Sequence, residues 1–243
     1  MNENIKIDIV IPAYNEEQIL EKNVDKLISF LKDNFGYKNY KVIIVDNGST
    51  DNTFAISQKL EKRYSKVTCL HLNQKGRGNA LKKVWLESEA DVVSYMDADL
   101  STDLEAIPEL VNSIIIDGYD IAVGSRLLPT SRVKRSLLRK SLSYIYNILI
   151  KNIFGFKELS DAQCGFKALN KKVIKNVLPE VKNQNWFFDT ELLILAQKNG
   201  FKIKYIPINW KDRPKTRVKI MDTIFEDIAG IWNLKRLLNS QKI

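Results

Sequence analysis

Cysteine and histidine are nearly absent from the 243 residues: two thiols, Cys69 and Cys164, and one imidazole, His71. The thiols lie far apart with no metal-ligand spacing, which argues against a disulfide framework and a zinc site and fits a reducing, cytosolic setting. No Cys–His pair is available for nucleophilic catalysis, so chemistry here must rest on carboxylates, cations and a metal. His71, at a strand end, reads as a structural residue. Long apolar runs are missing too. None approaches the roughly eighteen residues needed to span a bilayer, and Met1-Asn2-Glu3-Asn4 does not open a signal peptide. The expected location is cytoplasmic, peripheral on a membrane face rather than through it. Repeats and low-complexity tracts are also absent.

What is present is positive charge. Lys and Arg number 38 against 29 Asp and Glu, a formal net charge of +9, which points to anionic partners: nucleic acid, phosphorylated substrates or an acidic membrane. Aromatic residues are not interleaved with basic ones in a reading motif, so a nucleic-acid partner is not expected.

Short β-branched runs alternate with helical patterns through the first half. Strands are expected over 5–11, 41–45, 67–72, 91–96 and 119–123, with helices over 16–31, 51–64, 79–86 and 104–115. This is an α/β pattern implying a mostly parallel sheet flanked by helices, whose ligands bind beyond the carboxyl ends of the strands. Four polar clusters fall at those ends: Pro12 to Glu16, Asp46 to Ser49, Asp97-Ala98-Asp99, and Gly124-Ser125-Arg126. After Arg126 a basic cluster (Arg132, Lys134, Arg135, Arg139, Lys140) leads into an apolar helix with Leu138, Leu142, Ile145, Leu149 and Ile153 at helical spacing. That helix is either a membrane-docking surface or a core helix with a solvated basic face. A C-terminal amphipathic helix is expected over 220–238, so residues 1–219 form the main domain and 220–243 its helical extension.

Asp97 and Asp99 can turn toward one hard cation, Mg²⁺ or Mn²⁺, which takes one or two carboxylates plus substrate phosphates. Asp103 supplies a separate N-cap, so the pair is not needed for capping. Ser49, Thr50 or Asp51 caps the next helix, leaving Asp46 as an acceptor for the ring N–H of a uracil or guanine. Lys75-Gly76-Arg77-Gly78 fails the dinucleotide fingerprint, because it follows the third strand and Leu81 stands where the last glycine belongs. Its glycines are expected to let backbone approach a nucleotide, with Lys75 or Arg77 near phosphate. Asp189 either orients a sugar hydroxyl or assists at the reaction centre, or it caps a helix over 190–198.

Together, Pro12 to Glu17, Asp46 to Asp51, Lys75-Gly76, Asp97 to Leu100 and Gly124 to Arg126 resemble family 2 glycosyltransferases of the GT-A fold. Asp161 to Lys167, Trp186 to Leu192 and Pro207 to Arg213 are similar to the dolichyl-phosphate glucosyltransferase branch. The resemblance implies an inverting hexosyltransferase that uses a nucleotide-sugar donor, most simply UDP-glucose, and a dolichyl or polyprenyl phosphate acceptor. Pro12, Tyr14, Glu16, Asp46 and Lys75 would then hold the nucleotide, and Asp97 and Ala98 its ribose and phosphate end. Asp99, assisted by Asp97, would ligate the metal. Arg126 and Arg139 would grip the acceptor phosphate, and Arg213, Lys215 and Arg217 would close over the pyrophosphate. Asn47 replaces the second acid of the family's Asp-Asp-Gly-Ser motif, and Ser101 replaces a Gln that serves related mannosyltransferases as a further ligand. Rival readings are UDP-N-acetylglucosamine or GDP-mannose as donor, a non-lipid saccharide acceptor, or a lipid-phosphate-binding regulator without catalysis.

Overall fold

The β-branched runs are buried on both faces, as a covered parallel sheet requires. In the computed structural model, which describes residues 4–212 and 220–240, they become β1 (Ile7–Ala13), β2 (Tyr40–Asn47), β3 (Val67–Leu72), β4 (Val92–Met96) and β5 (Ile121–Ser125). Helices α1 (Leu20–Asn34), α2 (Thr53–Arg63), α3 (Arg77–Glu87) and α4 (Ile107–Ile115) alternate with them. The first helix starts four residues later than its periodicity suggests. The backbone N–H groups of Asn15, Glu16 and Glu17 donate instead to side chains of Ser49, Thr53 and Asp51, which ties the β1–α1 loop to the β2–α2 loop.

The second half adds β6 (Arg132–Lys134), β7 (Phe166–Asn170), β8 (Ile203–Pro207) and β9 (Asn209–Lys211), with helices α5 (Leu137–Phe154), α6 (Lys171–Asn176), α7 (Phe188–Lys198) and α8 (Ile220–Ser240). Helices α5, α7 and α8 fall where helices are expected, whereas the four strands and α6 are not announced by the hydropathy pattern. The main sheet has seven strands in the order β3-β2-β1-β4-β7-β5-β8, and β6 pairs with β9 apart from it. Every pairing in the main sheet is parallel except those of β7, which runs antiparallel between β4 and β5. Because Met96 registers with Phe166, the segment entering β7 crosses the same edge at which β4 ends. That edge is where the polar clusters sit.

Helix α5 is inside out. Its buried residues are Ser143, Asn147 and Ile150, while Leu137, Leu138, Tyr144, Ile145, Ile148 and Leu149 are exposed, Leu137 by 81%. The inward polar groups are satisfied: Ser143 Oγ accepts from Arg135, and Asn147 Oδ1 accepts from the Ala162 N–H. The expected alternative of a core helix with a solvated basic face is therefore not what forms. No helix among the described residues is long and apolar enough to cross a membrane.

Candidate functional site

The crevice is assembled at the carboxyl edge of the sheet, and Asp46, at the end of β2, is one of its fully buried acids. Its Oδ2 pairs with His71 Nδ1 at 2.6 Å, and the imidazole in turn packs on Phe54 with ring centroids 4.7 Å apart. Its Oδ1 is buried without a hydrogen-bond partner among the described residues. A buried carboxylate oxygen without a donor is costly, so the pocket is built to receive one. Nearby, Lys75 Nζ lies 4.2 Å from the Tyr14 ring centroid, which brings two of the expected nucleotide residues together. Pro12 lies within β1, and the Glu16 N–H donates to Thr53 Oγ1 at 2.7 Å.

The N-cap of α2 is Asn52, which makes no side-chain cap bond, rather than Ser49, Thr50 or Asp51; one residue before it, Asp51 Oδ1 accepts the Thr53 N–H at 3.0 Å. Asn47, the departure from the acidic motif, serves a structural purpose. Its Oδ1 accepts the Gly76 N–H at 2.9 Å and anchors the start of α3. The glycines there differ from expectation. A Cβ on Gly76 would sit 2.9 Å from the Gln184 carbonyl oxygen, and one on Gly78 would sit 2.6 Å from Phe188 Cβ. Their smallness lets α3 approach the segment leading into α7 rather than a nucleotide.

Asp97 and Asp99 follow β4. The Asp97 side chain is 31% exposed. Withdrawal from bulk water pushes its carboxyl up to about 6, against the pull of Arg77 and with Asp99 adding to the rise. Asp99 Oδ1 accepts the Ser101 N–H at 2.9 Å, and the Ala98 carbonyl accepts from Asn23 at 2.8 Å. Ser101, in place of the Gln, is buried, and its carbonyl accepts the Lys211 N–H. Asp103 stands at the predicted cap, but its carboxylate takes the backbone and side-chain N–H groups of Asn209 instead. Gly165 packs against Asp97 so closely that any Cβ there would overlap the carboxylate.

Arg77 is not a surface phosphate ligand. Its guanidinium is ion-paired with Asp189, lies 3.9 Å from Asp97 Oδ1 and stacks on Trp186 at 4.4 Å. Asp189 is fully buried. Besides Arg77 it accepts from Tyr95 OH at 2.5 Å and from Lys167 Nζ at 2.8 Å. Burial alone would raise its carboxyl, but Lys167 and Arg77 hold it below the ordinary value. The capping expectation for Asp189 fails, because Phe187 occupies the N-cap of α7, and both carboxylate oxygens are paired inside the protein. Lys167 enters the sequence reading only as the last residue of the Asp161-to-Lys167 motif, and its full burial within β7 is set by folding.

On the far side of the β7 entry lies a cluster of arginines. Arg126, after β5, makes a two-pronged pair with buried Asp161 at 2.7 and 2.9 Å and packs on Trp210 at 5.0 Å. Arg139 and Arg135 both reach Asp212. A groove of about 710 Å³ leads from Arg126 past Leu127, Leu128 and Val133 to Tyr144 and Ile145 on the exposed face of α5. Helix α8 closes another side, where Asp227 accepts from Gln163 at 2.9 Å and Glu226 accepts the Trp186 N–H at 2.8 Å. Arg213, Lys215 and Arg217 lie outside the described residues.

Comparison with known proteins agrees with this geometry. Residues 8–178 match the model of glycosyl transferase family 2. The chain is 33% identical over 230 residues to a dolichyl-phosphate beta-glucosyltransferase of Saccharomyces cerevisiae, covering 87% of this chain and 68% of that protein. It is 30% identical to a Dictyostelium discoideum protein of the same name, covering 96% and 78%. It is also 32% identical over 228 residues to the glycosyltransferase AglD of Haloferax volcanii, of which it spans 36%. Among solved structures, glucosyl-3-phosphoglycerate synthase from Mycobacterium tuberculosis, solved with UDP, superposes with a TM-score of 0.73 at 20% identity, covering 96% of this chain and 80% of that one. The fold is GT-A. The crevice, its order of loops along the sheet edge and the match over most of its length place the chain in glycosyl transferase family 2.

Proposed function

We propose that the protein moves a hexose, glucose foremost, from a UDP-sugar to dolichyl or polyprenyl phosphate, with inversion at the anomeric carbon. The observation that carries this reading is that residues 161–165 join the acids to an arginine: Gly165 packs on Asp97, two residues before Asp99, while Asp161 holds Arg126, and Arg135 and Arg139 meet at Asp212. A phosphate monoester is already anionic near neutral pH and needs no strong general base. The enclosure of Asp189 supports such an acceptor over a saccharide hydroxyl, because Asp189 then serves to position Arg77 beside Asp97 rather than to take a proton. The names of the yeast and Dictyostelium relatives point the same way.

Among the described residues no third His, Cys, Asp or Glu joins Asp97 and Asp99. A two-carboxylate set completed by substrate phosphates suits Mg²⁺ or Mn²⁺. When bound, such an ion supplies positive charge to the departing diphosphate. The chain's own residues do the rest. Asp46 offers Oδ1 to the N–H of uracil, Tyr14 and Lys75 flank the nucleotide, and the arginines offset repulsion between acceptor and donor phosphates. Pro12, Glu16 and Ala98 shape the backbone around the nucleoside, and the family resemblance assigns Arg213, Lys215 and Arg217, outside the described residues, to the pyrophosphate. The exposed apolar face of α5, flanked by Lys140 and Lys151, rests on the cytoplasmic leaflet that holds the acceptor. Residues 1–219 form the catalytic domain, and 220–243 extend it.

The test is a panel of labelled UDP-glucose, UDP-N-acetylglucosamine and GDP-mannose with polyprenyl phosphate and Mg²⁺ or Mn²⁺. Label from UDP-glucose should enter the organic phase only with a divalent ion present. Transfer confined to water-soluble saccharides would overturn the proposal.

A further inference from the structure

Arg135 and Arg139 close on a single carboxylate oxygen. Arg135 Nε lies 3.4 Å and Arg139 Nη1 3.3 Å from Asp212 Oδ2. The other oxygen of Asp212 accepts the Trp210 indole N–H at 2.8 Å. Two guanidiniums on one acid leave a positive charge in excess, and Arg126 beside them is already balanced by Asp161. The three side chains are largely withdrawn from water, at 14%, 20% and 17% exposure for Arg135, Arg139 and Asp212. Arg135 Nε is buried yet has no hydrogen-bond partner among the described residues. Burial, then repulsion from Arg126, holds the Arg135 guanidinium below its ordinary value. The carboxylate therefore only partly satisfies the charge and the donors around it. A dianionic, tetrahedral group with three free oxygens would satisfy both better.

We propose that Asp212 stands in for a phosphate monoester between Arg135 and Arg139, that the acceptor phosphate displaces it on binding, and that Arg135 is thereby a third guanidinium of the acceptor site. This rests on the phosphate-acceptor reading above. Displacement follows from charge: a phosphate dianion together with Asp212 would set three negative charges against the two positive charges of Arg135 and Arg139. The groove running from Arg126 to Tyr144 and Ile145 gives an ester's apolar tail a place beside Arg126 and Lys140. A free phosphate carries the same headgroup chemistry without the tail.

Asp212→Asn tests the proposal, because the amide oxygen still accepts the Trp210 N–H while the charge is removed. Binding of citronellyl phosphate and of inorganic phosphate is measured by calorimetry on the whole chain, and acceptor and donor KM are measured with citronellyl phosphate. Asp212→Asn should bind at least one probe tighter, on the order of tenfold, as expected when a like charge leaves the site, with donor KM unchanged. Arg135→Gln should weaken the same probe by a similar factor, with a melting curve showing that it is folded. A gain shared by inorganic phosphate assigns recognition to the phosphate group alone; a gain confined to the citronellyl ester adds the groove. Equal or weaker binding of both probes by Asp212→Asn makes Asp212 a brace for the arginines and overturns the inference. A wild-type protein that binds UDP but neither binds nor uses citronellyl phosphate overturns the acceptor reading itself, which is a different result.

Discussion

Gly165→Ala should disable the site while leaving the fold in place. In the structure an added Cβ at Gly165 overlaps Asp97 Oδ2 and also lies 2.7 Å from Asp97 Oδ1, where ordinary contact begins at 3.4 Å. The carboxylate must retreat by about 1 Å, and one face of its side chain is open to the crevice, so it can. Folding therefore suffers little, about 1 kcal/mol by the lower end of overpacking costs. Catalysis suffers more, since a displacement of about 1 Å at a positioned group costs on the order of 10²-fold. The assay pairs transfer to polyprenyl phosphate with Mn²⁺-dependent UDP binding by calorimetry and a thermal melt. Both transfer and metal-dependent binding should fall while the melting curve stays close to wild type. Wild-type transfer by Gly165→Ala would refute the claim that Asp97 must stay where Gly165 allows it.

His71→Leu should raise donor KM about tenfold, the scale of losing one hydrogen bond to a charged group, without changing acceptor KM. His71→Asn, whose amide nitrogen replaces Nδ1, should recover most of the loss, and a leucine variant with unchanged UDP affinity would remove His71 from this role. Asp189→Asn and Lys167→Met should each destabilise the fold by about 3 to 5 kcal/mol in urea, as expected when one member of a buried ion pair is removed; additive losses in the double variant would mean the pair is not coupled. Burial, with Glu226 nearby, pushes the Asp227 carboxyl up to about 7. The folded state thus keeps a proton that the unfolded chain releases near pH 4. Stability should therefore decline as pH rises between about 4 and 7, by up to about 4 kcal/mol, and a melt series on Asp227→Asn should show a flatter profile. Ile145→Asp should reduce flotation with anionic vesicles several-fold while sparing UDP binding, and unchanged flotation would take α5 off the membrane.

The first half of the molecule was legible because each strand there carries its own signal and each cluster directly follows a strand. Asp46, Asp97 and Asp99 could be placed at one edge from local pattern alone. The roles of Arg77, Lys167 and Asp189 could not, because their partners are brought together from α3, β7 and α7 by folding. β7 is short and carries a lysine at a position that only a distant aspartate makes tolerable. Periodicity also gives which residues of α5 share a face, but not which way that face points. Here buried Ser143 and Asn147 bond to Arg135 and Ala162, and the apolar stripe turns outward.

The reversed strand at the middle of the sheet also sets an order of assembly. Among the described residues β5 pairs only with β7 and β8, so residues 121–125 have no neighbour in the sheet until chain about forty or more positions downstream has been made. β1 to β4, by contrast, pair among themselves. During synthesis the pocket around Asp46 can close early, whereas Arg126 waits for the arrival of Phe166 and then Ile203. A ribosome-bound chain should therefore bind UDP before it can engage any lipid.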